Sequence, residues 1–366
     1  MKNKKRIYLD YAATHPLSKK LISRLNSLSC VWYNPSSVYE VGAYNKEIIE
    51  NVRNKVAAEI NAEPEEIIFV SSGSEANALA IDGFLKENDK YDKCYCSNIE
   101  HASILNNPLC KPSLKVDNDG VVYGDEITED GFYSVMMCNN EIGTYQPIKE
   151  ISNKVHELGG VIHVDAVQAF GKIPIDVKYL DVDMMSISGH KIGAIRGVGV
   201  LYVKKGIKIS PIIYGTQEGG LRGGTYNDLA IKTLGLAMEE INYDEEMVVR
   251  SRRDYLLKLL YEISGVGLNG GMETRNGSNV NIRISNLRIN SQQLVAILDD
   301  MYNIQLSAGS ACHSYEDKPS HVLKAIGLSD EQAKSSIRIT IGIDTSVQDI
   351  LDFVDALKEI IEKYRA

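Results

Sequence analysis

Apolar and polar positions alternate along the first part of the chain in a way that predicts strands and helices in turn. Short apolar runs of five to seven residues predict buried strands. Longer amphipathic stretches near Ser74–Leu85 and Ile148–Leu158 predict helices. This order indicates an α/β fold with a mainly parallel sheet. The predicted strands are Ile67–Ser71, Tyr133–Asn139, Val161–Ala166, Met184–Ser188 and Gly197–Val203.

After about residue 225 the pattern changes to long, charged helices and fewer strands. Helices are expected near 226–242 and 245–263, and a last helix from about Ser346. We therefore predict a large α/β domain over residues 15–245. A smaller α+β domain would combine residues 1–14 with 246–366. The remaining elements expected in it are strands at Val280–Ser285 and Ser336–Ile341 and a helix near 291–302.

The net charge of −9 argues against direct nucleic-acid or anionic-membrane binding, because phosphate groups would be repelled on average. No run approaches 18 apolar residues, and the basic start Met1–Arg6 is not followed by an apolar stretch. We expect a cytoplasmic protein. Its six scattered cysteines are expected to be free thiols, and no metal site is predicted.

A small, hydroxyl-rich turn, Ser71-Ser72-Gly73-Ser74, joins a predicted strand to a predicted helix. Exposed amides and the helix dipole at such a turn favour a phosphate group. The alternative is an ordinary helix N-cap at Ser72 or Ser74, and the turn alone favours that alternative. The chain has neither a P-loop nor a GxGxxG fingerprint.

Two apolar strands end in chemically active residues: one runs into Asp165, and the other into Ser188-Gly189-His190-Lys191, so that Lys191 follows Asp165 by 26 positions. Ligands of open α/β sheets bind at the carboxyl ends of strands. An Asp there can hold a protonated pyridine nitrogen, and a Lys can form a Schiff base. Taken singly, each residue is more simply a capping carboxylate or a solvated lysine. The combination is more specific.

Two further residues carry candidate chemistry near the end of the chain. Cys312 lies in a loop of small residues, where His313 could lower the thiol pKa. A half-buried structural cysteine is an equal alternative. Arg338 lies inside an apolar strand and should meet a carboxylate, either from a substrate or from an internal Asp or Glu.

These motifs together resemble the NifS/IscS-type cysteine desulfurases, in the class V aminotransferase group of fold-type I pyridoxal-phosphate (PLP) enzymes. The resemblance runs from Tyr8-Leu9-Asp10-Tyr11-Ala12-Ala13-Thr14 nearly to the C-terminus. It rests on motifs that occur in the family's order, namely Asn34-Pro35-Ser36-Ser37, Asn139-Asn140-Glu141-Ile142-Gly143, HVDAVQ, SGHK, GSAC and SSIR.

The resemblance implies a PLP site in the large domain. Lys191 would form the Schiff base, Asp165 would contact the pyridine nitrogen, and Gln168 would contact the phenolic oxygen. His101 would stack on the ring and move protons. The phosphate would be held by Ser74, Ser188, His190 and, from the partner subunit, Thr225.

The resemblance also implies the reaction and the partners. Asn139 and Arg338 would bind the carboxylate of L-cysteine, and Cys312, on the small domain, would become a persulfide while L-alanine leaves. The enzyme would be a homodimer and would pass sulfur to an acceptor protein, for iron–sulfur cluster assembly or tRNA thiolation. Alternatives are a selenocysteine lyase, a class V aminotransferase, or a non-catalytic sulfur-relay subunit.

The chain departs from the family pattern in the loop Gln217–Thr225. The family usually has an Arg and a Ser where this chain has Gly219 and Gly223. This leaves the loop's phosphate and interface contacts open.

Overall fold

The computed structural model describes residues 5–308 and 318–366. Its largest sheet has seven strands in the order β2-β8-β7-β6-β5-β3-β4. All neighbouring pairs are parallel except the two that involve β8. The strands are β2 (Ile67–Val70), β3 (Cys94–Ser97), β4 (Cys110–Leu114), β5 (Phe132–Met136), β6 (Val161–Asp165), β7 (Met184–Ser188) and β8 (Gly199–Val203).

Helices cover both faces of this sheet and complete the cores of the large domain. The long helix α2 packs with α7 against one face, and α3 packs against β7 and β8 on the other. The helices are α1 (Lys19–Ser29), α2 (Glu40–Glu59), α3 (Gly73–Glu87), α4 (Ala102–Leu105), α5 (Ile148–Glu157), α6 (Val177–Leu180) and α7 (Asp228–Met238).

A separate apolar core unites the start of the chain with its last third. An antiparallel sheet, β12-β13-β10-β9, packs there, and a short parallel pair joins β1 to β11. The strands are β1 (Ile7–Tyr8), β9 (Val266–Leu268), β10 (Asn279–Ile284), β11 (Ile304–Gln305), β12 (Ser307–Ala308) and β13 (Ser336–Thr340). The helices are α8 (Asp244–Tyr261), α9 (Ser291–Tyr302), α10 (His321–Ala325), α11 (Asp330–Lys334) and α12 (Val347–Tyr364).

The predicted fold class is confirmed: a mostly parallel α/β sheet is joined to a smaller α+β part. One predicted strand is shorter than expected, since β5 ends at Met136 and not at Asn139. The chain turns there because the side-chain oxygen of Asn139 accepts hydrogen bonds from the amides of Glu141 and Ile142 (2.8 and 3.0 Å). In the described part of the chain, no helix is both long and apolar enough to cross a membrane.

Candidate active site

The predicted site residues gather at the carboxyl ends of the parallel strands. Asp165 is the last residue of β6, and Ser188 is the last residue of β7. A short 3-10 turn, Gly189–Lys191, follows β7 and brings Lys191 to the same edge. The chain after β3 brings His101 there as well. Residues distant in sequence therefore converge because parallel strands end at one edge.

Asp165 is a buried carboxylate held by two hydrogen bonds. One oxygen accepts from the amide of Val167 and the other from the side chain of Asn77, both at 2.9 Å. Asn77 lies on α3, one turn after the Ser-rich turn, so this helix also orients the carboxylate. A charge kept in place at low exposure is suited to stabilise a cationic ring nitrogen.

His101 caps the short helix α4, and its ring is largely buried. The Ser103 amide donates to its Nδ1 (3.1 Å), and the Ser103 hydroxyl lies 2.8 Å from the same nitrogen. Burial lowers the pKa of His101, the negative charge of Asp165 opposes this, and the positive charge of Lys191 adds to it. At neutral pH the ring is therefore uncharged and carries its proton on Nε2.

Lys191 points at Ala12 and Ala13, near the start of the chain. Its Nζ donates to the carbonyl oxygens of Ala12 and Ala13 (2.6 and 2.9 Å). Gln168 reaches the same place, because its amide donates to the Ala12 oxygen at 2.9 Å. The amine and the amide thus lie side by side over the edge of the sheet.

The Ser-rich turn opens α3 with an ordinary N-cap, the alternative interpretation of this turn, and brings the helix N-terminus beside the strand ends. Ser72 caps α3 by accepting from the Glu75 amide. A side chain at Gly73 would come within 2.6 Å of Val167 and 3.4 Å of Ser188, so only glycine lets these segments approach. His190 bonds Thr14 (3.1 Å). Ser74 and Thr225 are exposed. Together with the buried Asp165 and the adjacent Lys191, the residues present suit PLP.

Arg338 on β13 meets an internal carboxylate, as one of the two alternatives requires. Its Nη2 donates to Asp10 (2.8 Å) and to Ser307 (3.0 Å), and its Nη1 donates to the Asn140 carbonyl oxygen (2.9 Å). Its Nε is buried and has no hydrogen-bond partner among the described residues. The Nε–H of the guanidinium is therefore left for another acceptor.

Asn139 is fully buried, and its amide is engaged within the protein. It donates to the Ile99 carbonyl oxygen at 2.9 Å. Its oxygen accepts the two amides that turn the chain after β5. Its role in binding a substrate carboxylate stays a prediction. Cys312 and His313 lie outside the described residues.

The two glycines that depart from the family pattern have steric reasons in this loop. Gly219 has φ +64°, a left-handed conformation that favours glycine. A side chain at Gly223 would come within 2.0 Å of the Tyr214 carbonyl oxygen. The backbone therefore excludes a side chain at Gly223, whereas the space around Gly219 is open and only its φ favours glycine.

Asn77, Ser103 and Asp10 support the site, and the sequence analysis did not single them out. Asn77 donates both to Asp165 and to the Ser103 hydroxyl (2.9 Å), so it joins the predicted carboxylate to the His101 cap. Its position one turn into the helix after the phosphate turn was an available signal. Asp10 offered only its place in a motif.

Glu100, next to His101, gives a pH prediction. Burial raises its pKa to about 8, while hydrogen bonds from the Ser97 hydroxyl and the Met136 amide oppose this. The folded state then holds a proton that the unfolded state releases near its ordinary pKa of 4.5. As the pH rises from about 5 to 8, we therefore expect the free energy of unfolding of wild type to fall relative to that of Glu100→Gln. The largest slope of this difference is about 1.4 kcal/mol per pH unit.

Urea unfolding at pH 5, 6.5 and 8 measures this difference. The exposed Glu65→Gln is the control, and its curve should stay parallel to wild type. Parallel curves for Glu100→Gln as well would contradict a protonated Glu100.

The fold and the strand-end site define a fold-type I PLP enzyme. Residues 7–353 match the Aminotransferase class-V family, and the chain belongs to that family. "Cysteine desulfurase IscS" of Dictyoglomus turgidum is 38% identical, covering 99% of this chain and 96% of that protein. The protein of the same name from Methanosarcina thermophila is 37% identical, covering 99% and 93%.

Solved structures agree with this assignment. A "NifS-like protein" from Rickettsia africae matches with a TM-score of 0.87 and 32% identity, covering 98% of this chain and all of that one. A structure titled "SspA in complex with cysteine" matches with a TM-score of 0.81 and 30% identity, covering 93% of this chain and all of that one.

Proposed function

We propose that this chain is a cysteine desulfurase, a PLP-dependent transferase of sulfur metabolism that converts L-cysteine to L-alanine. The observation that carries the proposal is the convergence of Asp165, His101 and Lys191 at one sheet edge. Relatives named cysteine desulfurase align over nearly the whole chain. L-cysteine as substrate also agrees with the related structure in complex with cysteine.

The cofactor would be held by residues from several strand ends. PLP, when bound, supplies an electron sink that stabilises negative charge at the substrate Cα. Lys191 would attach it, Asp165 would pair with the ring nitrogen, Gln168 would meet the phenolic oxygen, and neutral His101 would cover the ring. The phosphate contacts would come from Ser74, Ser188, His190 and Thr225 of the partner subunit.

The protein's own groups would then place and deprotonate the substrate. Arg338, which is hydrogen-bonded to Asp10, would donate its Nε–H to the substrate carboxylate, and Asn139 would bind the same carboxylate. Lys191 Nζ takes the Cα proton. The Cys312 thiolate would attack the substrate sulfur, so that an S–S bond forms and the C–S bond breaks with its electron pair left on Cβ. Cβ then takes up a proton, and Cα regains the proton held by Lys191. Alanine leaves, and Cys312 carries the persulfide to an acceptor.

The remaining proposals concern organisation. The two apolar cores support a division into residues 15–245 and residues 1–14 with 246–366. A homodimer is supported by the exposed aromatic residues Trp32 and Tyr39 and by Thr225 at the surface. The acceptor, an iron–sulfur scaffold or a tRNA-thiolation enzyme, and the cytoplasmic location remain predictions.

The test is an assay of alanine and sulfide from L-cysteine with a thiol reductant, with PLP absorbance recorded on the same sample. We expect alanine and sulfide in equal amounts. Formation of the 2-oxo acid that corresponds to L-cysteine, in place of alanine, would favour an aminotransferase. Faster turnover of L-selenocysteine, with little from L-cysteine, would favour a selenocysteine lyase. Protein without PLP absorbance would favour a sulfur-relay subunit.

A further inference from the structure

A cleft lies on one side of Lys191, the predicted cofactor-binding lysine, which forms part of its wall. Its volume is about 710 Å³, and Asp165, Gln168 and His101 are not among its lining residues. Its walls come from both parts of the molecule: residues 15–22, the connection between α7 and α8, and residues 341–344. It therefore lies where the two cores meet, a common location for ligand sites.

Two hydrogen-bond donors that line this cleft lack suitable acceptors. The Tyr145 hydroxyl is buried and has no hydrogen-bond partner among the described residues. Lys172 donates to the neutral Gln168 amide oxygen (3.0 Å), and no carboxylate pairs with it within residues 5–308 and 318–366. An unsatisfied hydroxyl and an unpaired ammonium each cost folding free energy, which a bound acceptor would restore.

The thiol of Cys138 interacts electrostatically with both groups but does not supply the missing negative charge. Burial raises the pKa of Cys138, so the thiol is uncharged at neutral pH. Burial also lowers the pKa of Lys172, the shift that a bound anion would reverse. At the Lys172 end of the cleft, the described residues thus place an ammonium group with a neutral amide oxygen as its acceptor, while near Tyr145 the opposite charges of Glu246 and Arg250 offset each other.

Much of the remaining lining is apolar, and five carboxylates also line the cleft: Glu245, Glu239, which pairs with Lys20 and Lys55, and three others with the following partners. Asp344 pairs with Lys19 (2.8 Å), Glu240 accepts from the Lys20 amide (2.8 Å), and Glu246 pairs with Arg250 (2.9 Å). The apolar lining includes Ile22, Ile192, Ile241, Val249, Ile341 and Ile343. This combination of a donor pair with aliphatic walls suits a carboxylate with an apolar tail.

We propose that this cleft is a binding site for a small aliphatic monocarboxylate, whose carboxylate accepts hydrogen bonds from Lys172 and Tyr145 while its tail lies against the isoleucine-rich walls. The proposal does not depend on the desulfurase activity, because neither group takes part in the proposed reaction. Lys172 also bonds Gln168, so occupancy would be felt next to the PLP site.

Hexanoate is the probe, titrated calorimetrically into the PLP-loaded enzyme, with hexan-1-ol as its uncharged counterpart. We expect hexanoate to bind and hexan-1-ol to bind at least tenfold more weakly. Lys172→Met should weaken hexanoate binding at least tenfold, and Tyr145→Phe about three- to tenfold, for loss of a charged and a neutral donor. Lys178→Met, an exposed lysine paired with Glu63, should leave affinity unchanged.

Three outcomes would overturn the site. In the first, hexanoate does not bind to wild type. In the second, Tyr145→Phe and Lys172→Met both bind hexanoate with the same affinity as wild type. Binding could also disappear in Arg338→Met but persist in Lys172→Met, which would assign the carboxylate to the substrate side. PLP absorbance and the unfolding midpoint confirm that each variant is folded. If Lys172→Met is not folded, the affinity of Tyr145→Phe for hexanoate tests the proposal by itself. A desulfurase assay that fails while hexanoate binds would refute only the proposed function.

Discussion

Replacing Cys312 with alanine is expected to lower sulfide release from L-cysteine at least about a thousandfold while PLP stays bound. The thiol is the atom that would receive the sulfur, and no other group in the proposed reaction can take its place. The predicted cofactor contacts are other residues, such as Asp165 and Lys191, so absorbance should not change. Sulfide and alanine release, measured on one preparation beside the cofactor spectrum, check this.

Cys30→Ala is the matched control, because Cys30 is an exposed thiol far along the chain from the proposed reaction residues. It should retain wild-type rates. Full sulfide release by Cys312→Ala would contradict the role of Cys312 as sulfur carrier. Loss of PLP from that variant would point to a structural role instead.

Asp165→Asn is expected to reduce turnover at least about a hundredfold, since it removes the one charge that would stabilise the protonated ring nitrogen. The change keeps the shape of the side chain. It also places an amide group where Asp165 now accepts from Asn77 and from the Val167 amide, so one of these donors loses its acceptor. The rate of alanine formation and the PLP absorbance maximum measure both effects.

The control for Asp165→Asn is Asp130→Asn, at a surface carboxylate paired with Lys90. It should keep the wild-type rate. A hundredfold loss accompanied by a large drop in unfolding midpoint would show only a folding defect. An unchanged rate in a folded Asp165→Asn enzyme would refute the proposed pairing with the ring nitrogen.

The strand-end part of the site could be predicted because its signals lie in neighbouring residues of the sequence. The apolar run Val161–Ala166 predicts a strand, and the polar residue near its end, Asp165, belongs to the same short segment. The rule that ligands bind at the carboxyl ends of parallel strands then joins Asp165 to Lys191 without coordinates.

The supporting contacts could not be predicted in this way, because they join distant parts of the chain. Arg338 was expected to meet a carboxylate, but its partner Asp10 lies 328 residues away. Nothing in either local window specifies that pair. The packing of side chains likewise decides that the Nε of Arg338 has no hydrogen-bond partner among the described residues, and that Asn77 donates to Ser103 as well as to Asp165.

By itself, then, the sequence determined the fold class, the strand-end chemistry and the family to which the chain belongs, because periodicity and motif order are local properties. The tertiary structure alone decided that Asn139 accepts the amides of its own turn and that Gly223 has no room for a side chain. It alone also placed Lys172 and Tyr145 on one cleft, where the Tyr145 hydroxyl has no hydrogen-bond partner among the described residues. These features depend on packing between elements, which side-chain spacing along the chain does not encode.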